Sequence, residues 1–425
     1  MRRLLVTAAA ALGCALAAPA TSMASPYVVT LRDAAGGTSP SVEELRRELK
    51  LPAPSHRYAS ALTGFAAELN VRQVSTLRAH RAVLAIESDT AIAATGMEPL
   101  VAGETVPTSV RRSGGATTSA AHRSATTSVA VLDTGIDLAN PDLDAVTGTN
   151  CVKPGTPAQD DNGHGTNVAG IIAARNTGKG VVGVAPGTRV YAVKVLNNRA
   201  VGTLSQFLCG IDWVTANAAA LGVKVANMSI GGGGFSDNNC GRTSGDSEHK
   251  AICAATAAGV TFVVSAGNGA ADFARTVPAA YPEVLTTTAI TDTDGVAGGV
   301  GPASCARREF DDRVATTSSY AVTGAAAAHT IAAPGTCVVS TGLGGTLSTY
   351  SGTSQAAPHA AATVALCHGS GTLPGPCAGL APAAVIARVR ADAASAATMA
   401  NGFQGDLLRP FAGKVFGPLV TAAPY

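Results

Sequence analysis

Three short segments set reactive side chains among small residues: VAVLDTGID around Asp133, DNGHGTNVAG around His164 and SGTSQAAPHAA around Ser354. They supply one carboxylate, one imidazole and one hydroxyl. A serine hydroxyl is a poor nucleophile at neutral pH. It becomes a competent one when an imidazole takes its proton and a carboxylate holds that imidazole in one tautomer. Asp133 ends an apolar run, and His164 stands between two glycines where a helix begins, which lets other groups approach the ring closely. Ser354 precedes an alanine-rich helical stretch. A serine at a helix start aims its own backbone N–H at a developing oxyanion, and the positive end of the helix favours that charge. A fourth segment, Ser265-Ala266-Gly267-Asn268-Gly269, offers the Asn268 amide, a neutral donor that steadies an oxyanion without competing as a base. Taken singly, each has a plainer reading: a cap for Asp133 or Ser354, a turn for Asn268. Their joint presence carries the argument.

The elements around these residues predict an α/β fold. From residue 128, short apolar runs at 128–132, 189–195, 223–228, 260–264 and 284–289 alternate with helical stretches at 165–174, 204–220 and 248–258. Apolar strands interleaved with helices make a parallel sheet covered on both faces, with sites at the carboxyl ends of strands. Residues 25–95 read as a separate small α+β unit. It has strands at 27–31, 65–69 and 82–86, a helix at 41–50 that Ser41 caps with Glu44 completing a capping box, and a second helix at 71–80. Between them, 96–127 turns to Thr, Ser, Gly and Arg, shows little core-forming pattern, and reads as a linker or processing region. The catalytic unit is then 128–425.

Composition narrows the setting. The 425 residues are 46% apolar and 14% charged, which supports a packed core and excludes general disorder. A net charge of +2 is too weak for a nucleic-acid surface. Arg2 and Arg3 precede the apolar run Leu4–Ala18 and two small-residue cleavage sites, so residues 1–24 are expected to be an export signal and the mature protein secreted. That run is short for a membrane span, and no stable membrane insertion is expected after cleavage. Loss of Cys14 with the signal leaves eight cysteines, an even number that favours disulfides in an exported chain. On the order of a hundred pairings are open. Short-range partners would be Cys240–Cys253, Cys305–Cys337 and Cys367–Cys377, leaving Cys151–Cys209. The absence of CxxC disfavours metal ligation, and the absence of G-x-S-x-G disfavours a nucleophile-elbow esterase.

With D-T-G, H-G-T-x-V-A-G and G-T-S-x-A-x-P in this order, the chain resembles the subtilisin-like serine proteases, the subtilases, over roughly 105–425. The 25–95 unit resembles the inhibitor-like propeptide of the same family. The resemblance implies a secreted endopeptidase, autoprocessed from a zymogen, that acts as a monomer on protein or peptide substrates with its own propeptide as intramolecular inhibitor. Ser354 matches the nucleophile, His164 the general base and acid, Asp133 the residue orienting the imidazole, and Asn268 the oxyanion donor. Ser229, Ile230, Gly231 and Gly232 match an edge that pairs with extended substrate, and Ser265, Ala266 and Gly267 the facing wall of the pocket before the cut. Both walls are small and uncharged, which implies a neutral or apolar side chain there, although Asp237 lies close in sequence. No cofactor is implied for catalysis. Asp142 matches a structural calcium ligand, with 175–181 as the associated loop, although Thr177 and Lys179 are unsuited as ligands. Val277-Pro278 matches a position that usually holds a cis bond. Asn140, Asn167, Gln355 and Ala361 depart from common family residues without removing a catalytic group.

Overall fold

The computed structural model describes residues 24–32, 41–59, 62–89 and 97–425. Apart from Ala24, the expected export signal lies outside the described residues. The chain divides into two compact units, Met1–Ala93 and Ala94–Tyr425.

The first unit is built from β1 (Ser25–Leu31), α1 (Val42–Glu48), β2 (His56–Tyr58), β3 (Gly64–Leu69), α2 (Val71–Arg78) and β4 (Val83–Ser88). Its strands form an antiparallel sheet in the order β2-β3-β1-β4. Reciprocal capping boxes start both helices, Ser41 with Glu44 and Asn70 with Gln73, and satisfy backbone donors that a helix start leaves free. Leu45, Val74 and Leu77 bury one face of the helices against Val29, Phe65 and Leu69.

The second unit opens with β5 (Met97–Pro99), α3 (Thr108–Arg112) and β6 (Ala120–His122). Residues 97–127, expected to show little core-forming pattern, are packed. Val110, Ala116 and Ala121 join the main core, and Arg112 is buried between Asp292 (3.1 Å) and Asp312 (2.7 Å). Burial here uses small side chains and an ion cluster rather than a run of large apolar residues, so composition conceals it.

The site is carried by a mixed sheet. Its strands are β7 (Ser128–Asp133), β8 (Asp144–Asn150), β9 (Arg189–Lys194), β10 (Val223–Met228), β12 (Thr261–Ser265), β14 (Leu285–Thr291), β15 (Arg313–Val314) and β16 (Thr330–Pro334). They run in the order β15-β14-β12-β10-β7-β9-β8, with β16 on β14. All pairings are parallel except β14 with β15. Two short strands outside this sheet, β11 (Gly232–Gly233) and β13 (Thr276–Val277), pair antiparallel. The period-2 alternation of a strand sorts the core into two layers. Val129, Val131, Val190 and Val225 face α4 (His164–Ala173), α8 (Thr353–His368) and α9 (Pro382–Ala396). Ala130, Leu132, Val193 and Ala226 face α5 (Leu204–Leu221), α6 (Ser247–Ala257) and the short α7 (Gly324–Ala327). The expected α/β architecture with helices on both faces is therefore present. The four disulfides pair the cysteines as their short-range order suggests, with Cys151–Cys209 as the longest link. Among the described residues no helix is long and apolar enough to cross a membrane.

Helix α8 is buried on nearly every side, and its His359 is fully buried with Nδ1 donating to the Gln355 carbonyl (2.8 Å). Burial pushes this imidazole down to about 4. The unfolded chain takes the same proton near pH 6.5, so stability falls as pH drops from about 6.5 to 4, by about 3 kcal/mol from this group. His359→Gln is expected to flatten that acid limb in urea unfolding measured across this window. A limb parallel to that of the wild type would contradict the assignment.

Candidate active site

Asp133 is the last residue of β7 and is fully buried. A buried carboxylate needs donors. Its Oδ1 accepts from the Thr134 N–H (2.7 Å) and from Nδ1–H of His164 (2.7 Å). Because a carboxylate only accepts, this bond puts the imidazole proton on Nδ1 and leaves Nε2 free to act as a base. Burial pushes the His164 pKa down, but the Asp133 charge and hydrogen bond, with help from Asp160, outweigh that and hold it above the ordinary histidine value.

His164 is the first residue of α4, and four features bring it to the end of β7. Gly163 adopts φ +106°, left-handed backbone that disfavours a side chain. Gly165 lies directly against the Gly135 carbonyl, where any Cβ would clash. Asp160 gathers the turn: Oδ1 accepts from the N–H groups of Asn162 (2.9 Å) and Gly163 (3.0 Å) and from Thr134 Oγ1 (2.8 Å), while Oδ2 accepts from the N–H (3.0 Å) and hydroxyl (2.5 Å) of Thr166. Thr134 Oγ1 also accepts from the Gly165 N–H (2.9 Å), closing the link between strand and helix. Tyr350 meets the imidazole edge-on at 6.1 Å between ring centres.

Ser354 is the second residue of α8, and its Oγ donates to the Ser229 carbonyl (3.1 Å). Asn268 lies across the helix start. Its Oδ1 accepts from both the N–H (2.8 Å) and the hydroxyl (3.0 Å) of Thr353, which fixes the amide so that its NH₂ group is left for other partners. Thr353 Oγ1 in turn accepts from the Gly267 N–H (3.1 Å). Gly352, at φ +149°, admits the amide, since a Cβ there would meet Asn268 Nδ2 at 3.0 Å.

These residues border one open cleft of about 730 Å³, with His164, Ser354, Asn268, Ser229, Ile230, Gly231, Gly232, Ser265 and Gly267 on its walls. Ala266 is not brought there. It is fully buried in the core layer beneath, because alternation along the chain turns Ser265 and Gly267 to the cleft and Ala266 away. Thr276 and Ser319 complete the wall behind Gly267, with neutral hydroxyls. Asp237 does not reach the cleft: its carboxylate accepts from the N–H groups of Asn239, Gly241, Thr243 and Ser244 in its own loop and faces His249. The Val277–Pro278 bond is cis.

Asp142 lies away from this cleft, beside the 175–181 loop. Asp142 Oδ1 and Glu104 Oε1 are both buried without a hydrogen-bond partner. Burial, and then the Glu104 charge, push the Asp142 carboxyl up to about 6. Two carboxylates near enough for one charge to raise the other, each with an orphan oxygen, suit a hard cation. Glu104 Oε2 meanwhile accepts from the N–H groups of Thr177 and Gly178 (2.8 Å each), so Thr177 serves the loop through its backbone.

Thr134, Asp160, Thr353, Tyr350, Thr276, Ser319 and Glu104 all escape a reading of the sequence alone. Thr134 and Thr353 adjoin Asp133 and Ser354, and Asp160 lies four residues before His164, which is the available sequence signal for those three.

Comparison with known proteins gives the chain's relatives. The sequence pattern of the subtilase family matches residues 124–393. Over 173 residues the chain is 39% identical to subtilisin DY of Bacillus licheniformis, covering 40% of this chain and 58% of that one. Over 223 residues it is 37% identical to an alkaline protease of Alkalihalobacillus alcalophilus, covering 51% and 52%. Over 171 residues it is 37% identical to the minor extracellular protease Epr of Bacillus subtilis, covering 40% and 24%. The crystal structure of a cold adapted subtilisin-like serine proteinase superposes with TM-score 0.55 at 25% identity, over 76% of this chain and 99% of that chain. The chain spans about half the length of the curated relatives it matches. It belongs to the subtilase family.

The His164 titration is directly measurable. NMR of the imidazole in the wild type is expected to show a pKa above 6.5, and Asp133→Asn should bring it below that value, because burial, the largest influence, is then opposed only by the weaker Asp160 charge. A wild-type value at or below 6.5, or one unmoved by the substitution, would contradict the charge pairing.

Proposed function

We propose that the chain is a secreted serine endopeptidase made as a zymogen. The observation that carries this reading is the hydrogen bond from buried Asp133 to His164, which shares one cleft with Ser354 and with an Asn268 amide whose oxygen is already occupied. Ser354 Oγ attacks the scissile carbonyl while His164 Nε2 takes its proton. The tetrahedral oxyanion is held by the Asn268 NH₂ and the Ser354 N–H at the start of α8. The C–N bond then breaks as His164 returns the proton to the leaving amine. Water, deprotonated by His164, releases the acyl group and restores Ser354. Ser229 to Gly232 pair with extended substrate main chain, and the neutral wall of Ser265, Gly267, Thr276 and Ser319 takes an uncharged side chain, giving broad specificity. Residues 25–95 are the propeptide, an inhibitor removed by the enzyme itself. The export signal supports secretion, as does the name of one relative, an extracellular protease. The enzyme acts as a monomer, needs no cofactor for the chemistry, and has no nucleic-acid partner.

Mass spectrometry and casein hydrolysis test this together. The wild type, expressed without its signal, is expected to lose its first unit and cut casein. Ser354→Ala is expected to stay whole and be inert. Asn268→Leu should retain substrate affinity but lose about a hundredfold to a thousandfold in kcat. Equal processing and activity in wild type and Ser354→Ala would overturn the reading.

A structural calcium ion belongs to the same proposal. Asp142 and Glu104 would hold it with carbonyl oxygens of the 175–181 loop, and it would tie that loop to the segment before α3. Millimolar calcium is expected to raise Tm by several degrees, with EDTA reversing the rise, and Asp142→Asn or Glu104→Gln should abolish the response. An unchanged calcium response in both variants would contradict the site.

A further inference from the structure

Helix α8 carries a proline in its interior, Pro358. A proline has no N–H for the carbonyl four residues back, and its ring crowds that carbonyl. Here that carbonyl belongs to Ser354. The residue that bears the hydroxyl therefore loses its helix bond at the turn where its position counts most. A buried carbonyl without a donor is destabilising.

Another donor takes the place of the missing one. Ser229 Oγ donates to the Ser354 carbonyl at 2.7 Å. The same hydroxyl accepts from Nδ2 of Asn227 at 3.0 Å. Asn227 is fully buried within β10, so this chain is anchored in the rigid sheet. Hydrogen bonds in series polarise one another and strengthen the last member. On the other side of the residue, the Thr353 N–H is tied to Asn268 Oδ1. Ser354 is thus held at its own carbonyl on one side and through the backbone N–H of the preceding residue on the other.

We propose that Asn227 and Ser229 are positioning residues for Ser354: the chain from the Asn227 amide through the Ser229 hydroxyl to the Ser354 carbonyl replaces the helix hydrogen bond that Pro358 removes. The proposal rests on the reading of Ser354 as nucleophile. It gives the Ser229 side chain a task separate from the backbone role assigned to residues 229–232. It also makes Ser229 and Pro358 energetically coupled, since either a hydroxyl at 229 or an N–H at 358 can satisfy the same carbonyl.

The test is a double-mutant cycle on the mature enzyme, with kcat and KM for a chromogenic peptide expressed per site titrated by a serine-directed phosphonate. Ser229→Ala is expected to lower kcat by roughly tenfold or more with KM little changed, because a small misplacement of a nucleophile costs rate rather than affinity. Pro358→Ala is expected to stay near the wild type. The double variant should return to within about threefold of it, because the backbone N–H that Pro358→Ala introduces now reaches the Ser354 carbonyl. A wild-type kcat in Ser229→Ala, or a double variant as slow as Ser229→Ala, would overturn the proposal. If Ser229→Ala does not fold, the comparison of Pro358→Ala with the double variant decides. Equal kcat values support the coupling, and a roughly tenfold deficit in the double variant contradicts it. Failure of the nucleophile reading looks different: Ser354→Ala would then cleave the peptide as fast as the wild type, and this proposal would fall with it.

Discussion

The hydrogen bond between Asp133 and His164 constrains the structure more than any other single contact. It requires a carboxylate with no exposure to water and an imidazole at the start of a different element, 2.7 Å apart. A buried charge is tolerable only with donors around it, and a helix can approach a strand end this closely only without side chains in between. Gly165 against the Gly135 carbonyl meets the second demand. The Thr134–Asp160–Thr166 hydrogen bonds meet the demand for rigidity, since they bind the turn before α4 to the end of β7. Lys194, at the end of the neighbouring strand β9, adds a buried ammonium that donates to the Thr134 carbonyl (2.5 Å).

The other half of the site follows the same plan with different chemistry. Here the anchored group is an amide, and Thr353 anchors it by occupying its oxygen twice. What remains is a neutral donor beside a helix start, an arrangement that costs no charge burial and still opposes a developing negative charge. The two halves meet because β7, β10 and β12 are adjacent parallel strands whose carboxyl ends share one side of the sheet. The fold thus supplies the coincidence, and local hydrogen bonds supply the precision.

Much of this is legible in the sequence. The runs at 128–132, 223–228 and 260–264 are too apolar for anything but strands covered on both faces, and they form β7, β10 and β12 within a residue or so. Asp133, His164, Ser354 and Asn268 are readable because each sits in an unusual small-residue setting. What escapes notice is relational. Asp160 looks like one more acidic turn residue until the chain brings it onto Thr134 and Thr166. Glu104 and Asp142 are far apart in sequence, and only packing reveals their orphan oxygens. Ala266 is misplaced when Ser265, Ala266 and Gly267 are treated as one wall, because successive residues must face opposite ways. Residues 97–127 are undervalued because Ala116 and Ala121 carry almost no hydrophobic signal yet are buried.

The central claim is that these residues make one hydroxyl uniquely nucleophilic. Labelling the mature protein with a fluorophosphonate, followed by intact mass and peptide mapping across a pH series, tests it most directly. The account predicts one adduct per chain, on Ser354, whose rate rises with pH as His164 loses its proton, with the midpoint above 6.5. No adduct, an adduct on another serine, or a rate indifferent to pH through that range would contradict it.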